Sequence, residues 1–139
     1  MKLDQLKAAV VARLLGATND FKTAIADQFF YVENPNDDKD VIYPYGVFQF
    51  VSGNTDRDTG TEFPELIMQA TFYDDDLSSA DLTALVNRFH VQFHKCEASL
   101  SLTDYYVLEV FILSPPREMR TFNDTWQSSV DVKIQLQKK

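Results

Sequence analysis

Two histidines, His90 and His94, stand four residues apart, with Cys96 and Glu97 close behind. On a helix that spacing turns both imidazoles to one side, where they could grip one metal ion. Zinc asks for a third protein ligand. The residues between the histidines, Val91, Gln92 and Phe93, also lack the glutamate that acts as general base in the zinc-protease helix motif. His90 follows Phe89 and His94 follows Phe93, so both sit at the border of an apolar stripe, an ordinary place for histidines of an amphipathic helix. Cys96 reads as a small buried or helix-end residue rather than a nucleophile, because two histidines leave few ways to build a Cys–His pair.

Carboxylates offer the other chemistry. Asn54, Asp56, Asp58, Glu62 and Glu65 place oxygens at the first, third, fifth, ninth and twelfth positions of a calcium-loop pattern. Gly60 falls one position late for that loop, Arg57 adds an opposing charge, and the flanks read as strands, so the stretch is read as a solvated hairpin tip. Asp74-Asp75-Asp76 could bind magnesium, yet acidic residues before a helix are favourable anyway because they face the positive end of its dipole. Four scattered glycines, Gly16, Gly46, Gly53 and Gly60, make neither a phosphate loop nor a dinucleotide fingerprint. The residues alone therefore point to no enzyme, no metal and no cofactor.

The elements that must hold these groups are legible from periodicity. Leu3, Leu6, Ala9, Val10 and Leu14 recur at helical spacing, with Gly16 where a C-terminal cap belongs. Phe21, Ile25 and Phe29, behind Asn19 or Asp20, suggest a further short helix. Residues 45–51, 66–73, 105–113 and 126–137 read as strands, the third as one covered on both faces and the last as a strict alternation. Residues 78–95 form the clearest helix, with Leu82, Leu85, Val86, Phe89 and Phe93 as its stripe and Ser78 and Asp81 resembling a capping box. The expected fold is α+β: a four-stranded, mainly antiparallel sheet with two helices packed on it, in the order helix, an optional short helix, strand, strand, helix, strand, strand.

Composition narrows the partners. The 139 residues suit one domain, and 21 acidic against 13 basic residues give a net charge of −8. That balance argues against a dedicated nucleic-acid binder and against attachment to anionic membranes, since both depend on Lys and Arg. No apolar run reaches the ~20 residues of a membrane-spanning helix. The N-terminus lacks the pattern of a signal peptide, and a lone cysteine fits a reducing compartment, so a cytosolic product is expected.

Several strings, taken in order, resemble the tail terminator (tail completion) proteins of long-tailed bacteriophages. These are an N-terminal helix, Tyr43-Pro44-Tyr45 opening a strand, and a polar hairpin into Glu65-Leu66-Ile67-Met68-Gln69-Ala70-Thr71-Phe72. Ser78-Ser79 then starts a helix that ends near Phe93-His94-Lys95-Cys96, and Asn123-Asp124-Thr125-Trp126-Gln127 enters an alternating terminal strand. The likeness runs from about residue 2 to residue 136, apart from a longer and more acidic stretch at residues 34–40.

The resemblance implies a ring of copies, generally a hexamer, on the end of the tail tube. Such a ring stops tube-protein polymerisation and joins the tail to head-side connector or neck proteins, and DNA passes through it without sequence recognition. It implies a virion location, with assembly in the host cytoplasm, and action by shape rather than catalysis. Another neck protein is the alternative, and a metal-dependent enzyme using His90 and His94 a more distant one. The candidate contact residues are Asn54, Asp56, Arg57 and Asp58 in the hairpin, the acidic run Asp74, Asp75 and Asp76, and Arg117 and Arg120 after Pro115-Pro116. Carboxylates lining the lumen would keep phosphates from sticking.

Overall fold

The computed structural model describes residues 3–36, 40–53, 65–76, 79–113, 116–121 and 125–139. Helices α1 (Leu3–Leu15) and α2 (Asp20–Ile25) lead into a short strand β1 (Phe29–Tyr31). Strands β2 (Tyr45–Gly53) and β3 (Glu65–Asp74) follow, then helix α3 (Ala80–Phe93) and one 3-10 turn (Glu97–Ser99). The chain finishes with β4 (Tyr105–Ile112), β5 (Arg117–Arg120) and the long β6 (Trp126–Lys138). The strands form one sheet in the order β1-β2-β3-β6-β4, with β5 on the same side of β6 as β4 but along its first half. All pairings are antiparallel except that of β1 with β2.

The expected α+β class stands, while its inventory is corrected: among the described residues, six strands and three α-helices replace four and two. Phe29 does not continue the helical pattern of Phe21 and Ile25. Asn19 caps α2 by accepting the Lys22 N–H, and Ala26 and Asp27 then adopt positive φ, which ends the helix and turns Phe29 into a strand. Strand β5 escapes periodicity because Arg-Glu-Met-Arg is exposed throughout; it is held by the edge of β6 and by the Thr83 hydroxyl of α3, which donates to Glu118. Helix α3 opens at Ala80 with Ser79 as its N-cap, and the Ser79 side chain makes no capping bond. Ser78 lies outside the described residues.

One face of the sheet carries the helices. Phe48, Leu66, Met68, Phe72, Val130, Val132, Ile134 and Leu136 turn toward α1, α2 and α3, which contribute Leu6, Val10, Leu14, Phe21, Leu85 and Phe89. Aromatic rings knit the centre: Phe21 meets Phe29 and Phe89 edge-on at 5.5 and 5.6 Å, and Phe72 lies 5.2 Å from Phe89. Such pairs add about 0.5–1.5 kcal/mol each beyond their buried area. Gly46 stands between Phe29 of β1 and Phe72 of β3, where a Cβ would come within 2.8 and 2.7 Å of their rings. The glycine thereby lets two phenylalanines lie over β2, stacked at 5.8 Å.

The opposite face is open and mainly polar. Thr71 and Ser129 hydrogen-bond across β3 and β6, Lys133 pairs with Glu109 at 3.3 Å, and Arg117 pairs with Asp131 at 3.4 Å. Strand β4, expected to be covered on both faces, is buried on one only: Tyr106, Leu108 and Phe111 are exposed beside buried Val110 and Ile112.

Candidate functional site

Strand β3 delivers Asp74 to the end of the sheet, where it pairs across to Trp126 of β6, which pairs in turn with Arg120 of β5. Asp75 and Asp76 follow in the turn to α3, and Asp81 rises from that helix's first turn. The carboxylates of Asp74, Asp76 and Asp81 lie within 4.8 Å of one another. They border a cavity of about 550 Å³ walled by Tyr43, Pro44, Leu85 and Arg88. The Tyr43-Pro44 peptide is cis.

The electrostatics of this rim follow from crowding. Burial pushes the Asp74 carboxyl up, and backbone N–H groups of Asp76 and Asp75 partly oppose it. A hydrogen bond with the Asp76 side chain, and that group's charge, push Asp81 up. Each therefore takes a proton more readily than an isolated aspartate. Three oxygens so placed could share a hard divalent cation. Asp76 and Asp81 are exposed, and water solvates such groups without one.

A second cavity, of about 540 Å³, shares Tyr43 and Asp75 with the first and adds Tyr45, Tyr73 and Thr125. The Tyr45 ring stacks on Tyr73 at 4.9 Å and lies 5.5 Å from Tyr43. Burial pushes the Tyr73 phenol up. Sequence reasoning passed over this tyrosine group, Asp81 as a site residue, and Arg88. The signal for the tyrosines was Tyr43-Pro44-Tyr45, whose partner Tyr73 emerges only once β2 and β3 are in register.

The other candidates are scattered. Asn54, Asp56, Arg57 and Asp58 lie outside the described residues. Arg117 is held by Asp131, and the Arg120 guanidinium lies 5.3 Å from the Trp126 ring centroid, so both belong to the β5 side of the sheet.

His90 and His94 do come together, their ring centroids 4.5 Å apart. His94 Nδ1 accepts the Ile112 backbone N–H at 3.1 Å. That bond leaves the ring's proton on Nε2, so binding a metal through Nε2 would require removing it or sacrificing the Ile112 bond. Desolvation, then His90 and Lys95, lower the His94 pKa, with Glu97 opposing. The arrangement is that of a structural acceptor. Cys96 is buried, which pushes its thiol up to about 11, the reverse of an activated nucleophile. No helix of the described residues is long and apolar enough to cross a membrane.

No protein-family model matches the chain. No curated protein matches it either. Among solved structures, its fold is similar to that of a chain in the virion of a native gene transfer agent particle. The TM-score is 0.75 at 13% identity, over 95% of this chain and 94% of that one.

Proposed function

We propose that the protein is a virion assembly protein of a phage-type tail, specifically a tail terminator. In this reading copies form a ring, as a hexamer, on the end of the tail tube, halt the addition of tube protein and present a surface to head-side connector or neck proteins. The observation that carries the reading is the end-to-end correspondence of fold with a chain from a gene transfer agent virion. The ordered strings from Tyr43-Pro44-Tyr45 to the terminal strand supply the finer assignment. The protein acts by shape and charge, without a catalytic step or a cofactor, in the host cytoplasm during assembly and then in the virion tail. The acidic rim of Asp74, Asp75, Asp76 and Asp81 suits a passage for DNA, because carboxylates repel phosphates.

Mixing the purified protein with the tail tube protein encoded beside it tests the reading, with tube lengths counted by negative-stain electron microscopy. Shorter tubes bearing an extra ring at one end are expected. Tubes of unchanged length without bound density would reject the terminator role and move the assignment to another neck component.

A further inference from the structure

Nine large apolar side chains are exposed among the described residues, and their positions are uneven. Tyr106, Leu108, Phe111, Leu113 and Met119 line β4 and β5, at one side of the sheet. Val32, Ile42 and Val51 lie on the segments flanking and forming β1 and β2, at the other side. Only Val91, on α3, belongs to neither group. Strand β1 covers β2 only from Gly46 to Phe48, with the Val32 N–H reaching the Phe48 carbonyl. Among the described residues, no strand pairs with the outer side of β2 beyond Phe48, where Val51 lies.

The charges divide along the same line. On the β4–β5 side stand Lys95, Lys133, Arg117 and Arg120, against Glu109, held by Lys133, Asp131, held by Arg117, and Glu118, held by the Thr83 hydroxyl of α3. On the β1–β2 side stand exposed Glu33 and Asp40, with the Lys7 ammonium of α1 over the Tyr31 ring as the cation nearest them among the described residues. In a chain of net charge −8, like copies repel, and only a cation-bearing face brought against an acidic one escapes that cost. Two different, complementary patches on opposite edges are what a head-to-tail contact requires, and such contacts close into rings when the repeated rotation returns to the first copy.

We infer that copies of this chain join edge to edge, the β4–β5 side of one against the β1–β2 side of the next. The inference rests on the ring reading above and assigns the surfaces that build it. Leu108 and Phe111 meet the strip around Val51, while Arg117 and Arg120 face Glu33 and Asp40 across the seam.

The test uses the full chain, Leu108→Glu on one edge, Val51→Glu on the other, and their equimolar mixture, compared by sedimentation velocity. Both side chains are exposed, and thermal melts matching the parent confirm that the variants fold. The parent is expected to sediment as an oligomer, each variant alone as a monomer, and the mixture as a dimer, since each variant brings one intact edge. A parent that stays monomeric, a variant that keeps the parent's oligomer, or a mixture that stays monomeric overturns the inference. Tube capping separates this from the functional reading. An oligomer that follows the edge rules yet fails to shorten tubes removes the terminator role and leaves the interface. Capping by a protein indifferent to both substitutions removes the interface alone.

Discussion

The imidazole of His94 stands in for a strand along the outer edge of β4: its Nδ1 takes the Ile112 N–H, while the Lys95 N–H reaches the Val110 carbonyl at 2.8 Å. Lys95 adopts a left-handed φ of 57° to do so. Two backbone groups that an edge strand would leave open are thereby occupied by the turn that ends α3. The cap depends on protonation, because a protonated Nδ1 cannot accept.

From this follows a pH dependence. The folded-state pKa of His94 lies below its usual value, so the unfolded chain binds the proton first as pH falls. His94 is therefore expected to leave stability undiminished above about pH 6.5 and to lower it progressively below that, toward its depressed folded value. His94→Asn, whose Oδ1 can accept from Ile112 without titrating, should show a flatter melting temperature between about pH 7 and pH 5. His94→Ala, which strands the Ile112 N–H, should cost about 1–3 kcal/mol at neutral pH. Calorimetric melts across that range check both. Equal slopes for the parent and the Asn variant would remove His94 from the account.

Cys96 sits at the same junction, buried between the end of α3 and the 3-10 turn. With its thiol pushed up to about 11, the reactive thiolate is scarce at mild alkaline pH. A thiol-specific disulfide reagent at about pH 8 should label the folded protein far more slowly than the denatured chain, whose cysteine titrates near 8.5. Equal labelling rates in the two states would show that the junction opens readily.

How far the sequence reaches is visible at this junction. The stripe from Leu82 to Phe93 and the alternation of β6 announce themselves because each has one buried side, and burial writes the period. The apolar run of β4 misleads, since Tyr106, Leu108 and Phe111 are exposed on an uncovered face while the sequence records only that they are apolar. Phe29 misleads in the opposite sense, being helically spaced from Phe21 and Ile25 but separated from them by two left-handed residues. Strand β5 carries no apolar period at all. Of the site, Asp74, Asp75 and Asp76 are adjacent and hence legible. The approach of Asp81, and the meeting of Tyr73 with Tyr45, depend on register and on the turn into α3, which no local spacing encodes.

Gly46 tests the packing that fixes this register. A Cβ there would press on both Phe29 and Phe72, which are boxed in by Phe21, Phe48 and Phe89. Rings so enclosed have little room to yield, and overpacking of this kind costs about 1–3 kcal/mol. Gly46→Ala should lower the denaturant midpoint accordingly, with the slope of the transition unchanged. A neutral substitution would mean that β1 can lift away from β2 without loss.

The acidic rim makes the last prediction. Asp81 is pushed up by Asp76, so the folded state holds a proton on that pair more readily than the unfolded chain does. By linkage, the repulsion weakens the fold wherever both groups are ionised and is relieved as pH falls through the raised value toward the ordinary carboxylate range. Asp81→Asn keeps a polar side chain in the first turn of α3 and removes one charge. Its melting temperature should exceed the parent's at about pH 7, and the difference should shrink as pH is lowered toward about 4. A variant less stable at neutral pH would show that Asp81 matters more to the start of α3, through the helix dipole, than it suffers from Asp76. The carboxylates are crowded where α3 begins, beside an open cavity, and relieving them should strengthen the fold while weakening any repulsion of phosphate.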